Sequence, residues 1–318
     1  MAQITESQLH TFLGTCGLDY EVGMQKVINP FTMQEEPKTF CSYRMDTQEV
    51  FKYGLSKGFR PIQNFEAFKV ISDMSGVADL QLMKGGSFRN GAGVFAQISL
   101  GDMTVGGNDD RVGKFLSVVN SHDGSKGLQI LLTPYRFWCE NQIAAAVGKA
   151  YREAKQGMHT SLTIRHTASA VNRMEELVET IQMVNGQFER TSEVYNKLAT
   201  FKINREYVKE VFERVFPLDN ESGKRGRTIW ENTIDHAWKR YISADSGRTT
   251  MDTAWNLYNS VQGTIQHDSK NTSSKTQSIL MGSIAKRSAE ALVEVMEVCS
   301  PEHVPQSVHD EITALIGA

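Results

Sequence analysis

The 318-residue chain is 40% hydrophobic and 22% charged, with a net charge of −3, an ordinary globular composition with room for one or two domains. Its apolar runs stay short of the roughly 20 residues that a membrane-spanning helix needs, and the opening MAQITESQLHTFLG lacks the basic-then-apolar order of a secretory signal, so a cytoplasmic protein without membrane contact is expected. The four cysteines Cys16, Cys41, Cys139 and Cys299 form no C-x-x-C pair, which argues against a zinc knuckle or a redox motif and for reduced structural thiols.

Charge is unevenly spread along the chain. Residues 1–110 hold nine basic and thirteen acidic side chains, whereas residues 223–288 hold ten basic against five acidic. A net negative protein has no bulk attraction to a polyanion. Any nucleic-acid binding must therefore come from a local patch such as Lys224, Arg225 and Arg227 in that second span, although a basic run is more often a solvated face.

In chain order, the hydrophobic period changes from about 2 to about 3.6 near residue 140. DLQLMKG (79–85), GVFAQISLG (93–101), KFLSVVNSH (114–122) and KGLQILLTPYRFW (126–138) read as strands separated by GGSFRNGAG, GGNDD and HDGS, whose Gly, Asn and Asp tolerate the positive φ of tight reversals. Four strands in succession predict an antiparallel meander, because a parallel crossover needs an intervening connection. Beyond Glu140 the pattern is helical, interrupted by a short extended SLTIRH (161–166). Met174, Val178, Ile181, Asn185, Phe188, Ser192 and Tyr195 then step by four and three along one long helix, buried within its own chain or shared with a second copy. PLDNESGKRGRT (217–228) has no apolar period and reads as a linker. TTMDTAWNLYNSVQGTIQ predicts a helix opened by Thr249 and Asp252 in a capping-box spacing. A polar loop at 268–277 and a final helix from SILMGSIAKRSAEALVEVMEV complete the chain. The pattern predicts an α+β fold: an antiparallel meander packed on helices within residues 1–166, and a mainly helical region over 167–318.

Candidate chemistry concentrates in VVNSHDGSKGLQILLTPYRFWCENQIAAAV (118–147). His122, Asp123 and Ser125 are too close in sequence to form a triad among themselves, and Asp123 and Gly124 are explained as hairpin residues. No catalytic set, metal-ligand cluster, P-loop or cofactor motif is recognisable; NDD (108–110) sits in a glycine-rich turn, and GGSFRNGAG lacks the Lys-Ser/Thr ending of a phosphate loop. Single-stranded nucleic acid asks for less, a basic groove with flat rings on which bases stack. Arg89, Lys114, Lys126 and Arg136, interleaved with Phe88, Phe115, Tyr135, Phe137 and Trp138, supply those residue types. The competing reading puts the rings in the core.

The ordered blocks NSHDGSKG (120–127), TPYRFWCENQIAAA (133–146), IRHTASA (164–170) and AWNLYNSVQGTIQHD (254–268), with LGTCGLDYEV (13–22) and FRPIQNFEAF (59–68) ahead of them, resemble the phage- and plasmid-like family of domain of unknown function 932. Carried onto this chain, the blocks single out Asn120, His122, Asp123, Gly124, Arg136, Cys139, Asn141, Arg165 and His166. The resemblance implies a protein of mobile genetic elements. A strand meander followed by a helix is also similar to the core of phage single-strand annealing proteins. We therefore expect a homo-oligomeric protein that binds and anneals single-stranded DNA through Arg89, Lys114, Lys126, Arg136, Arg165, Lys224, Arg225 and Arg227, in recombination or replication. The alternatives are an enzyme on nucleic acid or nucleotides that uses His122 and Asp123 beside Arg165 and His166, and a non-enzymatic structural or host-interaction protein.

Overall fold

In a computed structural model, the structure describes residues 4–75, 80–107, 110–136, 141–142, 163–164, 180–219, 221, 223–243, 252–268, 275–281 and 283–299. The chain is α+β and divides into two compact units. One comprises residues 1–101, 115–132 and 159–184; the other comprises 102–114, 133–158 and 185–318.

The first unit opens with helix α1 (Glu6–Thr15), started by a Thr5/Gln8 capping box that satisfies two orphan backbone donors. Three strands follow, β1 (Val22–Ile28), β2 (Glu35–Arg44) and β3 (Val50–Leu55), paired antiparallel in the order β1-β2-β3. Sequence periodicity does not announce them, since their side chains are mostly half-buried or exposed. Helix α2 (Asn64–Ser75) packs against α1 and buries Phe68 and Ile71. Ser72 donates to the carbonyl of Ile4 at 2.5 Å, while the Ile4 amide donates to Ser75 Oγ at 2.8 Å, pinning the start of the chain to the end of α2.

The expected meander is present as β4 (Gln81–Phe88), β5 (Gly93–Val105), β6 (Asp110–Ser121) and β7 (Leu128–Arg136), in that spatial order. Gly85 of β4 carries α1: a Cβ there would come within 2.9 Å of Cys16 Sγ and 3.0 Å of the Phe12 ring. Strand β8 (Asn141–Gln142) pairs back onto Tyr135 and Arg136, and β9 (Thr163–Ile164) pairs with Leu128 and Gln129. Asn141 and Gln142 are thus strand residues, where the sequence pattern predicts the start of a helix; the hairpin's cross-strand bonds override a locally helical period. The rest of that expected helix, 143–155, lies outside the described residues.

In the second unit, α3 (Thr180–Thr200), a helix that begins in the first unit, is followed by α4 (Arg205–Val215), α5 (Gly223–Ser243), α6 (Ala254–His267), α7 (Lys275–Met281) and α8 (Ser283–Cys299). The predicted long helix is seen from Thr180 onward, with Phe188 and Tyr195 of its stripe buried; residues 167–179 lie outside the description. The polar stretch 217–228 runs into α5 at Gly223. Helix α6 is capped by Thr253, whose hydroxyl accepts from the Asn256 amide, and not by Thr249 with Asp252. Asp252 instead adopts the left-handed conformation (φ 59°) and its carbonyl accepts from the Ile203 amide. The expected final helix is two helices, α7 and α8, with Ser278 Oγ accepting from the Ile284 amide at 3.1 Å.

Core packing in this unit centres on α6, of which thirteen consecutive residues, Ala254 to Gln266, are buried. Tyr195 packs on Trp255 with ring centres 4.7 Å apart, and the Trp255 indole donates to the buried Asp110 carboxylate at 2.6 Å. That bond accounts for Asp110 of the NDD turn as a core acceptor. Among the described residues no group of three His, Cys, Asp or Glu side chains is placed to hold a metal ion, and no helix is long and apolar enough to cross a membrane.

Candidate nucleic-acid interface

Two reversals of the first unit come together. The β4–β5 turn places Arg89, Asn90 and Gly91 in the left-handed region at φ 52°, 54° and 89°, with the Ala92 amide donating to the Arg89 carbonyl at 3.0 Å. Asn-Gly is the pair a tight hairpin favours. Arg89 has no such excuse, and a left-handed arginine costs roughly 1–2 kcal/mol unless its surroundings compensate. Compensation comes from the β6–β7 turn. Arg89 reaches Asp123 at 2.5 Å and Ser125 Oγ at 3.1 Å, a partly buried pair whose side chains are 30% and 11% exposed. Asp123 also shapes its own turn by accepting from the Ser125 amide at 3.0 Å, and Gly124 takes φ 69°.

His122 sits beneath this ion pair, fully buried. Its amide donates to the Ala92 carbonyl at 2.7 Å, tying the two turns together. The ring stacks on Phe51 at 5.9 Å and meets Tyr20 edge-on at 6.2 Å. Asn64 donates to the Leu18 carbonyl, so its Oδ1 faces the imidazole at 2.8 Å and His122 Nε2 is the donor. Tyr20 closes the set by donating to the Gly91 carbonyl at 2.6 Å. Burial pushes the Tyr20 phenol up to about 12, against smaller opposing effects of Asn64 and of Arg44, which lies 4.0 Å over its ring. Asn120, also fully buried, donates to the Ile62 carbonyl at 2.9 Å.

Lys126 completes this corner. Burial holds its ammonium below the usual lysine range, and the neighbouring Arg89 charge acts in the same direction. The structure thus gathers Arg89, Lys126, Asn120, His122 and Asp123 at one place.

A second concentration of charge lies in the other unit. Lys224, Arg225 and Arg227 occupy the start of α5, all exposed, with no acidic residue in the first turn. Among the described residues none of the three has an ion-pair partner. Cations at a helix N-terminus oppose the macrodipole, each at a cost of about 0.3–1 kcal/mol. Helix stability would favour Asp or Glu there.

Lys114 is half-buried on the second-unit part of β6. Arg136 and Asn141 are backbone partners across β7 and β8, their side chains outside the description. Cys139, Arg165 and His166 lie outside the described residues, as do Phe137 and Trp138. Phe88 and Phe115 are core residues, 3% and 6% exposed, so neither ring offers a stacking face. Tyr20, Phe51 and Asn64 are essential to the corner yet carry no local signature. The blocks around Tyr20 and Asn64 were the one available hint.

A family model described as "Domain of unknown function (DUF932)" matches residues 54–291. No curated protein and no solved structure matches the chain.

Proposed function

This chain belongs to the family of domain of unknown function DUF932, and on that premise we propose that it binds single-stranded DNA and promotes annealing, in recombination or replication, as a homo-oligomer without nucleotide hydrolysis. The observation that carries the reading is the start of α5. Three exposed cations, without an ion-pair partner among the described residues, stand where the helix dipole is already positive, an arrangement that costs stability and is repaid by a bound polyanion. The corner supports it as a second place where two cations, Arg89 and Lys126, stand together. The resemblance to genes of phages and plasmids supports a setting in replication or recombination.

The enzymatic alternative is the less supported. His122 is fully buried and committed to Asn64, and the Asp123 carboxylate is bound by Arg89, so neither group is free to meet a substrate at hydrogen-bond reach.

Titration of a labelled oligothymidine at several salt concentrations tests the proposal. Binding should weaken steeply with salt, and reversing Lys224, Arg225 and Arg227 together should lower the salt slope by roughly two, near 0.7 per lost phosphate contact on a single strand. Binding that ignores salt, or no binding at all, would sink the reading.

A further inference from the structure

Strands β1 and β2 continue a short way past β3. Partners of β3 on β2 run from Phe40 to Tyr43, while β2 itself begins at Glu35 and pairs onward to Ile28 of β1. Five residues of β2 extend beyond the last β3 contact, but a register shift sets them against only Val27 and Ile28 of β1, so the pairing advances about 7 Å at about 3.4 Å per residue. The result is a two-stranded arm.

Its tip, Asn29 to Gln34, is closed by local hydrogen bonds. Asn29 Oδ1 accepts from the amides of Phe31 at 3.0 Å and Thr32 at 3.3 Å. The Asn29 carbonyl accepts from Met33, and the Asn29 amide donates to Gln34, both at 2.8 Å. Met33 is held at φ 54°. On this braced loop Phe31 is 95% exposed and Met33 76%, with Ile28 at 48% below them. From Val27 to Gln34 the chain has no ionisable side chain. On the shaft Lys26 is spent on Glu35 at 2.6 Å, Asn29 binds Glu36, and Lys38 has no ion pair among the described residues.

We propose that the arm is a base-stacking wedge: Phe31, braced by the Asn29 turn and flanked by Pro30 and Met33, lies against an unpaired nucleobase or enters between two stacked bases. The inference rests on the nucleic-acid reading above and gives it an exposed ring in place of Phe88 and Phe115, which are buried. Stacking requires a flat apolar face and no charge, and apolar side chains such as Phe, Met and Pro serve as wedges between bases. Lys38 on the shaft is available to a phosphate beside the stacked base. Size favours a base over a protein pocket. One aromatic ring offers about 150–250 Å², and its few apolar neighbours leave the tip short of the roughly 800 Å² per partner that a stable protein interface buries. Polar shaft residues Gln25, Glu35 and Lys38, all exposed, do not extend the apolar surface.

The test compares full-length Phe31→Ala and Phe31→Trp with the parent chain, using a labelled oligothymidine at low and moderate salt and an oligonucleotide with one 2-aminopurine as a stacking reporter. Because Phe31 is almost wholly exposed, both variants should melt with the parent. Phe31→Ala should bind about 5- to 100-fold more weakly with an unchanged salt slope and lose the 2-aminopurine quenching that Phe31→Trp keeps. Parent-like binding by Phe31→Ala, while the α5 charge variant is impaired, overturns the wedge and leaves the nucleic-acid reading standing. A change in sedimented mass for Phe31→Ala with DNA affinity intact assigns the arm to a protein contact and also overturns the wedge. If the parent chain binds no single-stranded DNA, the reading and the wedge fall together.

Discussion

His122 is held by residues that the chain delivers from far away, Tyr20, Phe51 and Asn64, the last of them 58 positions upstream. Replacing it with alanine leaves Asn64 Oδ1 facing an apolar hole between two rings. The expected cost of His122→Ala is about 2–4 kcal/mol, from the lost packing and the stranded acceptor. A denaturant melt measures it, and a variant as stable as the parent would contradict the geometry described. The turn around His122 was legible because Asp123, Gly124 and Asn90-Gly91 determine their conformations through neighbours one or two residues away. The burial of His122 was not, because neither Tyr20 nor the strand β3 that carries Phe51 shows an alternation from which packing over that turn could be read. The pairing of Arg89 with Asp123 was equally hidden: an arginine beside Asn-Gly gives no sign that it will adopt the left-handed region to reach a carboxylate 34 positions on.

At the scale of elements, α5 and α6 show how differently two helices of one unit are constrained. Helix α5 keeps an exposed surface, and its opening cations work against its own dipole. Glutamate at positions 224, 225 and 227 should therefore stabilise the protein by about 0.3–1 kcal/mol per site while weakening DNA binding. Opposite signs in thermal melting and in affinity would separate a binding role from a structural one. If the triple charge reversal lowered the melting temperature, these cations would be holding the fold together. The basic run itself was evident in the sequence, and so was the existence of a helix after residue 254. Helix α5 itself was not foreseen, because 217–228 read as a break although the helix begins at Gly223, and the start of α6 was misplaced because its capping hydroxyl belongs to Thr253.

For the molecule as a whole, groups in both units set how stability falls at the ends of the pH scale, and burial raises the Tyr195 phenol of the second unit as it does Tyr20 of the first. In the first, the buried Tyr20 phenol has its folded pKa raised to about 12 against about 10 when unfolded. Its contribution is fully present below about pH 10 and is lost as pH rises toward 12. In the second, burial would raise the Asp268 carboxyl, but hydrogen bonds from Arg240 and His236 outweigh it and set the group below its usual range. That contribution is present above the unfolded value of about 3.9 and disappears as pH falls through the lower folded value. All four tryptophans, at positions 138, 230, 238 and 255, fall in the second unit. Tryptophan emission should accordingly follow the acid limb, and Asp268→Asn should flatten it. The alkaline limb should appear in tyrosine absorbance and diminish in Tyr20→Phe. A tryptophan signal indifferent to Asp268→Asn in acid would refute this assignment.

Helix α6 has no outward side, with every residue from Ala254 through Gln266 enclosed. A saturation mutagenesis of the gene would therefore return thirteen consecutive intolerant codons there, without the three-to-four-residue rhythm by which a surface helix tells its inner face from its outer one. Such a block resembles the footprint of an active site. In this protein it would measure how little spare volume surrounds one rod of side chains.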